Sequence, residues 1–280
     1  MLVSSFCRRS CLTTRLYSTG AKPLTTIQLI KKLREELQAP LNLVKSAVSA
    51  AEPSGNYESA LAILKKEMIK RGEKLVAKSA DRAATEGWVI AARSGDGTAG
   101  SLSVLNCETD FVAKSSKVVE LASKVGQRLA VSAKSDDTPK DRHRDMPQEE
   151  IDNVTLEGVS LKEALTQSMS VYGESMRMTR ASTSSIKHAK MTAIGIHCHG
   201  GPTLTQDVYL GRMGAMINIV TANQTTKEMA DELAREVVAQ NPDSMEEFWA
   251  LEKVGDPQQR TVRQWAGDDV EIVSWTRLER

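Results

Sequence analysis

Asn106-Cys107-Glu108-Thr109-Asp110-Phe111-Val112-Ala113-Lys114 runs out of a strand and into a helix. Thr109 is a good N-cap, because its hydroxyl can accept a free N–H of the first turn. Asp110 follows it, where the helix dipole favours a carboxylate. Taken alone, Thr109 and Asp110 cap the helix and Phe111 plugs the core. Upstream, residues 88–93 and 101–106 read as two strands. Ser94-Gly95-Asp96-Gly97-Thr98-Ala99-Gly100 between them makes a hairpin with a longer loop. Downstream, Val118, Leu121, Ala122, Val125 and Leu129 fall on one face of a helix over about 110–131.

The same order returns in the second half. Residues 193–198 and 213–221 read as strands split by a Gly-Pro-bearing loop, and a helix over 225–240 ends at Asn241-Pro242. Met229, Ala230, Leu233 and Val237 correspond to Leu121, Ala122, Val125 and Leu129. That layout fits a duplication and fits ordinary α+β grammar equally. The tail adds a helix near 258–266 and a strand over 269–276. Hairpin-joined strands followed by helices predict α+β with antiparallel sheets.

Before the first hairpin the period is helical. Ile27, Ile30, Leu33 and Leu37 form one stripe over 25–38, with Pro40 as its stop. A second helix is expected over 42–51. A third spans 57–71, with Leu61, Leu64 and Met68 inward and Gly72 as terminator. A connector helix over 73–86 then ends at Gly87. Residues 134–153 are polar, nearly free of large apolar groups, and read as a linker or surface excursion. A helix fits 160–173. The expected domains are a presequence over 1–20, a helical bundle over 21–72, a first core subdomain over 73–134, a polar linker over 135–159 and a second core subdomain over 160–280.

Composition bounds the function. Lys and Arg nearly cancel Asp and Glu across the 280 residues, leaving a formal charge of +1. A nucleic-acid binder usually shows a basic excess, so no direct nucleic-acid partner is expected. No apolar run is long enough to span a bilayer, so no membrane partner is expected. Of the four cysteines, Cys7 and Cys11 lie in a segment expected to be removed, and the remaining pair, Cys107 and Cys198, is a poor disulfide framework that suits a reducing compartment. Residues 1–20 carry Arg8, Arg9 and Arg15, many Ser and Thr, and no acid. That is the composition of a mitochondrial transit peptide, with Arg15-Leu16-Tyr17-Ser18 as a cleavage context.

Enzyme motifs are weak. Gly95-Asp96-Gly97 lacks the strand-to-helix setting and the Lys of a phosphate cradle. In His197-Cys198-His199 the two histidines share one strand face, and a zinc site needs two further ligands. Neither Cys107 nor Cys198 sits in a run resembling an activated nucleophile. No cofactor, metal or catalytic residue is assigned. These residues leave open a mitochondrial enzyme using Cys107 or His197 and His199, and a non-catalytic helical-bundle or RNA-associated binding module.

Cys107-Glu108-Thr109-Asp110-Phe111-Val112-Ala113-Lys114 resembles the signature run of the elongation factor Ts family. Other segments are similar in order. These are Leu29-Ile30-Lys31-Lys32-Leu33-Arg34-Glu35, the stretch 56–87, Gly173-Glu174-Ser175 with Arg177 and Arg180, His199-Gly200, Gly211-Arg212-Met213-Gly214 and Val270-Glu271-Ile272-Val273. The likeness covers nearly the whole chain after the presequence. It departs after the first helix, where Leu37-Gln38-Ala39-Pro40-Leu41-Asn42-Leu43-Val44 replaces the family's glycine-bearing turn.

The resemblance implies a three-helix bundle like that of ubiquitin-associated domains, followed by two related α+β subdomains. It implies a non-enzymatic guanine-nucleotide exchange factor in the mitochondrial matrix, binding nucleotide-free or GDP-bound elongation factor Tu. Phe111 is then an apolar wedge into the partner's nucleotide domain. Thr109, which caps the turn, and Asp110 bind the partner beside it, with Asp110 near the phosphate and magnesium region. Lys31, Arg34 and Leu41 dock a second patch of that domain, and His199 touches another domain of the partner.

Overall fold

Residues 24–51, 56–78, 84–135, 143–186, 192–222 and 227–280 are described in a computed structural model of the chain. Residues 1–20, the expected presequence, lie outside them. The described residues form two units, one ending at Leu64 and one beginning at Lys65.

In the first unit, α1 (Thr26–Leu37) starts with a capping box. The Thr25 hydroxyl accepts Gln28 N–H, and the Gln28 side chain returns to the Thr25 backbone. Gln38, at φ 50°, turns the chain left-handed and ends the helix. Pro40 then takes the N-cap position of α2 (Leu41–Ala50). Leu29, Leu33, Val44, Ala47, Ala60 and Leu64 are buried. Ile27, expected in the apolar stripe, is instead 80% exposed. Spacings of three and four fit two overlapping stripes on this sequence, and the packed one is Leu29–Leu33, with Ile30 and Leu37 at its edge.

Gly72 does not end the third helix. α3 runs unbroken over Tyr57–Lys78 and takes in residues 73–78 of the expected connector helix, whose described end, 84–86, is not helical. The glycine serves close packing instead. A Cβ there would lie 2.5 Å from the carbonyl oxygen of Thr166.

Beyond α3 the second unit opens with the expected hairpin, β1 (Glu86–Arg93) and β2 (Ala99–Cys107). The helix predicted over 110–131 is two helices, α4 (Asp110–Ala113) and α5 (Ser116–Ser132). Residues 143–159, within the stretch read as linker, carry β3 (His143–Asp145), α6 (Gln148–Asn153), β4 (Thr155–Leu156) and the start of β5 (Val159–Ser160). Ile151 and Leu156 there enter the core. A few apolar side chains among many acids suffice, because α6 buries only one face. Next come α7 (Leu161–Tyr172), β6 (Met176–Ser185), β7 (Thr192–His199), β8 (Thr203–Thr205), β9 (Val208–Gly211) and β10 (Met213–Thr221). The chain closes with α8 (Lys227–Gln240), α9 (Met245–Ala250), α10 (Val262–Ala266) and β11 (Val270–Glu279).

The larger sheet has the order β3-β6-β2-β1-β9-β8 and the smaller β11-β10-β7, with antiparallel pairing throughout. The fold class is therefore α+β. Alternation along β1 explains the layering. Trp88 and Ile90 face α5, with Val118, Ala122, Val125 and Leu129. Val89 and Ala91 face Ile194, Ile196 and Met216 of the smaller sheet. α8 covers that sheet from its other side through Ala230, Leu233, Ala234 and Val237. The two helices read as equivalent thus each cover a sheet, and the sheets share a buried interface that is largely apolar.

Candidate functional site

The stretch after β2 is built from the strand ladder outward. Between β2 and β6 the backbone pairs are Leu105–Met178, Asn106–Arg177 and Cys107–Met176, where backbone pairing ends. Side chains take over from there. The Glu108 carboxylate accepts the Ser175 N–H at 3.0 Å, and the Thr109 hydroxyl donates to the Glu174 carboxylate at 2.8 Å.

Thr109 is the N-cap of α4, in extended conformation at φ −126°, ψ 155°. Its oxygen accepts Val112 N–H at 3.4 Å. At the other end of α4, Trp88 Nε1–H donates to the Ala113 carbonyl at 2.6 Å. Ser115 donates to the Val112 carbonyl at 2.8 Å and shares a hydrogen bond with the Tyr172 hydroxyl at 3.0 Å. A single helical turn has no stability of its own, since nucleation costs more than one turn returns. α4 exists because tertiary bonds satisfy both of its ends and because Val112 and Ala113 are buried.

Phe111 stands on the outside of this turn, 84% exposed. It does not plug the core. A phenylalanine held in water forgoes about 2–3 kcal/mol of burial, so intramolecular packing does not explain its place. Asp110, beside it, is paired with Lys114 at 2.7 Å. The Lys114 ammonium holds the Asp110 carboxyl below its ordinary pKa, so it is charged at neutral pH.

A groove of about 410 Å³ runs alongside, with Trp88, Asp110, Phe111, Gly200, Arg212 and Arg280 among its lining. His199 is the exposed last residue of β7, immediately before Gly200, and its carbonyl accepts Arg212 N–H at 2.7 Å. The structure thus brings Thr109, Asp110 and Phe111 together and sets the His199 hairpin end at the rim of the same groove. Lys31, Arg34 and Leu41 lie in the first unit, all exposed. Ile27, Lys31 and Arg34 recur at helical spacing and share one outward face of α1. Lys31 is loosely paired with Glu35 at 3.8 Å.

Sequence reading missed Trp88 and Arg280 altogether, because their partners are distant in the chain. It found Arg212 and Glu174 only as members of family motifs.

The other chemistry-bearing residues have structural surroundings. Cys107 and Cys198 are both buried free thiols. Burial pushes both up to about 12, so neither supplies the thiolate that nucleophilic attack needs. A thiol reagent at pH 7.5 is expected to leave both unlabelled in the folded protein and label both in denaturant, read by peptide mass mapping. Rapid labelling of either in the native state would show that its burial is transient. His197 lies against Tyr209, and no metal-binding group of three or more His, Cys, Asp or Glu exists among the described residues.

The family model described as Elongation factor TS matches residues 108–258, more than half of the chain. The chain belongs to the elongation factor Ts family, and so to the translation elongation factors. Among named relatives it is similar to "Elongation factor Ts, mitochondrial" of Schizosaccharomyces pombe, 32% identical over 90% of this chain and 87% of that protein. The protein of the same name from Schizosaccharomyces japonicus is 30% identical over 96% and 87%. A bacterial "Elongation factor Ts", from Christiangramia forsetii, is 27% identical over 78% and 68%.

Proposed function

We propose that the chain is a guanine-nucleotide exchange factor that binds elongation factor Tu in the mitochondrial matrix and makes or breaks no covalent bond itself. The observation that carries this reading is Phe111, 84% exposed on a turn fixed at both ends. An aromatic kept in water on a rigid support is suited to burial in a partner, where large aromatic side chains dominate binding energy. Family membership names the partner class. The relatives called mitochondrial and the acid-free, Arg-rich residues 1–20 support the compartment.

The chemistry follows from linkage. A GTPase holding GDP at about nanomolar affinity, with association near 10⁶–10⁷ M⁻¹s⁻¹, releases it at only about 10⁻³–10⁻² s⁻¹. A factor that binds the nucleotide-free state better than the GDP-bound state must weaken GDP by the same factor. Phe111 enters an apolar gap in the nucleotide domain. The charged Asp110 beside it opposes the neighbouring phosphates and disturbs magnesium coordination. The outward face of α1, with Ile27, Lys31 and Arg34, together with Leu41, docks on a second patch. His199 touches a further domain.

Release of a fluorescent GDP analogue from mitochondrial elongation factor Tu tests the reading. Micromolar factor is expected to shorten release from minutes to seconds. An unchanged release rate at saturating factor would sink the exchange reading for this partner.

A further inference from the structure

The β2–β6 ladder does not stop where its backbone pairing stops. In its last three pairs the residue numbers fall on one diagonal, Leu105–Met178, Asn106–Arg177 and Cys107–Met176. The next two positions on that diagonal are Glu108–Ser175 and Thr109–Glu174, and both are joined by hydrogen bonds through side chains. The ladder therefore reaches the N-cap of the Phe111 turn. The glutamates alternate in direction. Glu108 of the first strand takes a backbone N–H of the second, and Glu174 of the second takes the hydroxyl of the first.

Glu174 also decides what the Thr109 hydroxyl does. With its proton committed to the carboxylate, the hydroxyl presents lone pairs toward Val112 N–H, as an N-cap must. A carboxylate acceptor makes this bond stronger than a neutral one. We propose that Glu174 is a positioning residue for the exchange reaction: through Thr109 it fixes the turn that presents Asp110 and Phe111. This rests on the exchange reading for its functional half only. Its structural half concerns the turn itself.

Two measurements keep these halves apart. In the free protein, native-state hydrogen exchange at the amides of Val112 and Lys114 is expected to quicken about 5- to 10-fold in Glu174→Ala, the equivalent of one lost hydrogen bond. Glu174→Gln, whose amide oxygen can still accept the hydroxyl proton, is expected to lie between. Amides in the middle of α8 should not change. Unaltered exchange at Val112 and Lys114 would overturn the proposal whatever the protein does to its partner.

In the partner assay, Glu174→Ala is expected to lower the saturating rate of GDP release more than it raises the half-saturating factor concentration. In the Phe111→Ala background the same substitution should have little further effect, because both act through one group. Additive losses in the double variant would show that Glu174 acts elsewhere. Faster amide exchange with a wild-type protein that leaves GDP release unchanged would uphold the clamp and reject the exchange reading.

Discussion

Phe111→Ala is expected to cut acceleration of GDP release on the order of 100-fold while leaving the melting temperature within about a degree of wild type. The two halves have separate causes. At 84% exposure the ring is almost as hydrated in the folded protein as in the unfolded chain, so its loss removes little stabilisation. Alanine is also the better helix former, which offsets what little is lost. Against a partner the ring would go from water into an apolar gap. Truncating such an aromatic anchor typically costs about 2–4 kcal/mol, or roughly 30- to 1,000-fold. Stopped-flow release of the fluorescent nucleotide at equal factor concentrations, beside a thermal melt, reads both. A variant that melts early would mean that Phe111 serves the fold. A variant that exchanges like wild type would move the mechanism to the His199 rim or the α1 face.

This prediction turns on a point that the local sequence does not decide. Thr-Asp-Phe after a strand has the same pattern whether the ring points in or out. What sends Phe111 outward is the division of the expected long helix at Lys114–Ser115. That break lets Val112 and Ala113 take the buried positions; Trp88 and Tyr172 hold the turn at the break and Glu174 holds its N-cap, all from other parts of the chain. Residues 25, 57 and 65 positions away leave no periodic trace in the local sequence. The two hairpin-and-helix units were legible, because strand alternation and helical spacing are local signals. β6 was not, since Met176-Arg177-Met178-Thr179-Arg180 alternates polar with apolar only by way of methionine and then turns to a Ser/Thr run buried between neighbouring strands. α6 was hidden by its acids, which face water around a single deeply buried isoleucine. Gly72 misled for a related reason. A glycine that ends a helix and one that admits a neighbouring backbone look alike until the neighbour is known.

Arg93→Ala is expected to destabilise the second unit by about 3–5 kcal/mol, a large part of the 5–15 kcal/mol that holds a typical domain. Arg93 ends β1 with its side chain 2% exposed. Its guanidinium donates to both Asp231 oxygens at 2.8 and 3.0 Å, to Asp207 at 3.1 Å and to the Ile194 carbonyl at 2.6 Å. Burial disfavours its charge, and the bonds to Asp231 and Asp207 outweigh that and raise its pKa. One side chain thus joins the larger sheet to β7 of the smaller and to α8, which carries Asp231. Asp231 also accepts Ile196 N–H at 2.9 Å, so it stays fixed in place when the arginine is removed. Its charge and the Ile194 carbonyl are then left without their partner, and that loss sets the magnitude. Asp207 keeps Lys227 at 2.6 Å and loses less. Urea unfolding should show a lower midpoint with an unchanged slope, as fits a loss of stability without a change in exposed surface. Arg93→Lys should recover only part, because an ammonium cannot span Asp231, Asp207 and Ile194 with one planar fork. Acid adds a sign. Burial pushes the Asp207 carboxyl up, but Lys227 and Arg93 together hold it below its ordinary 3.8. Its contribution is therefore full above that value and is lost as the pH falls through the depressed one, and the loss should be shallower in Arg93→Ala. A cost under about 1 kcal/mol would mean that the apolar interface of Val89, Ala91, Ile194 and Ile196 holds the sheets together without the ionic lock.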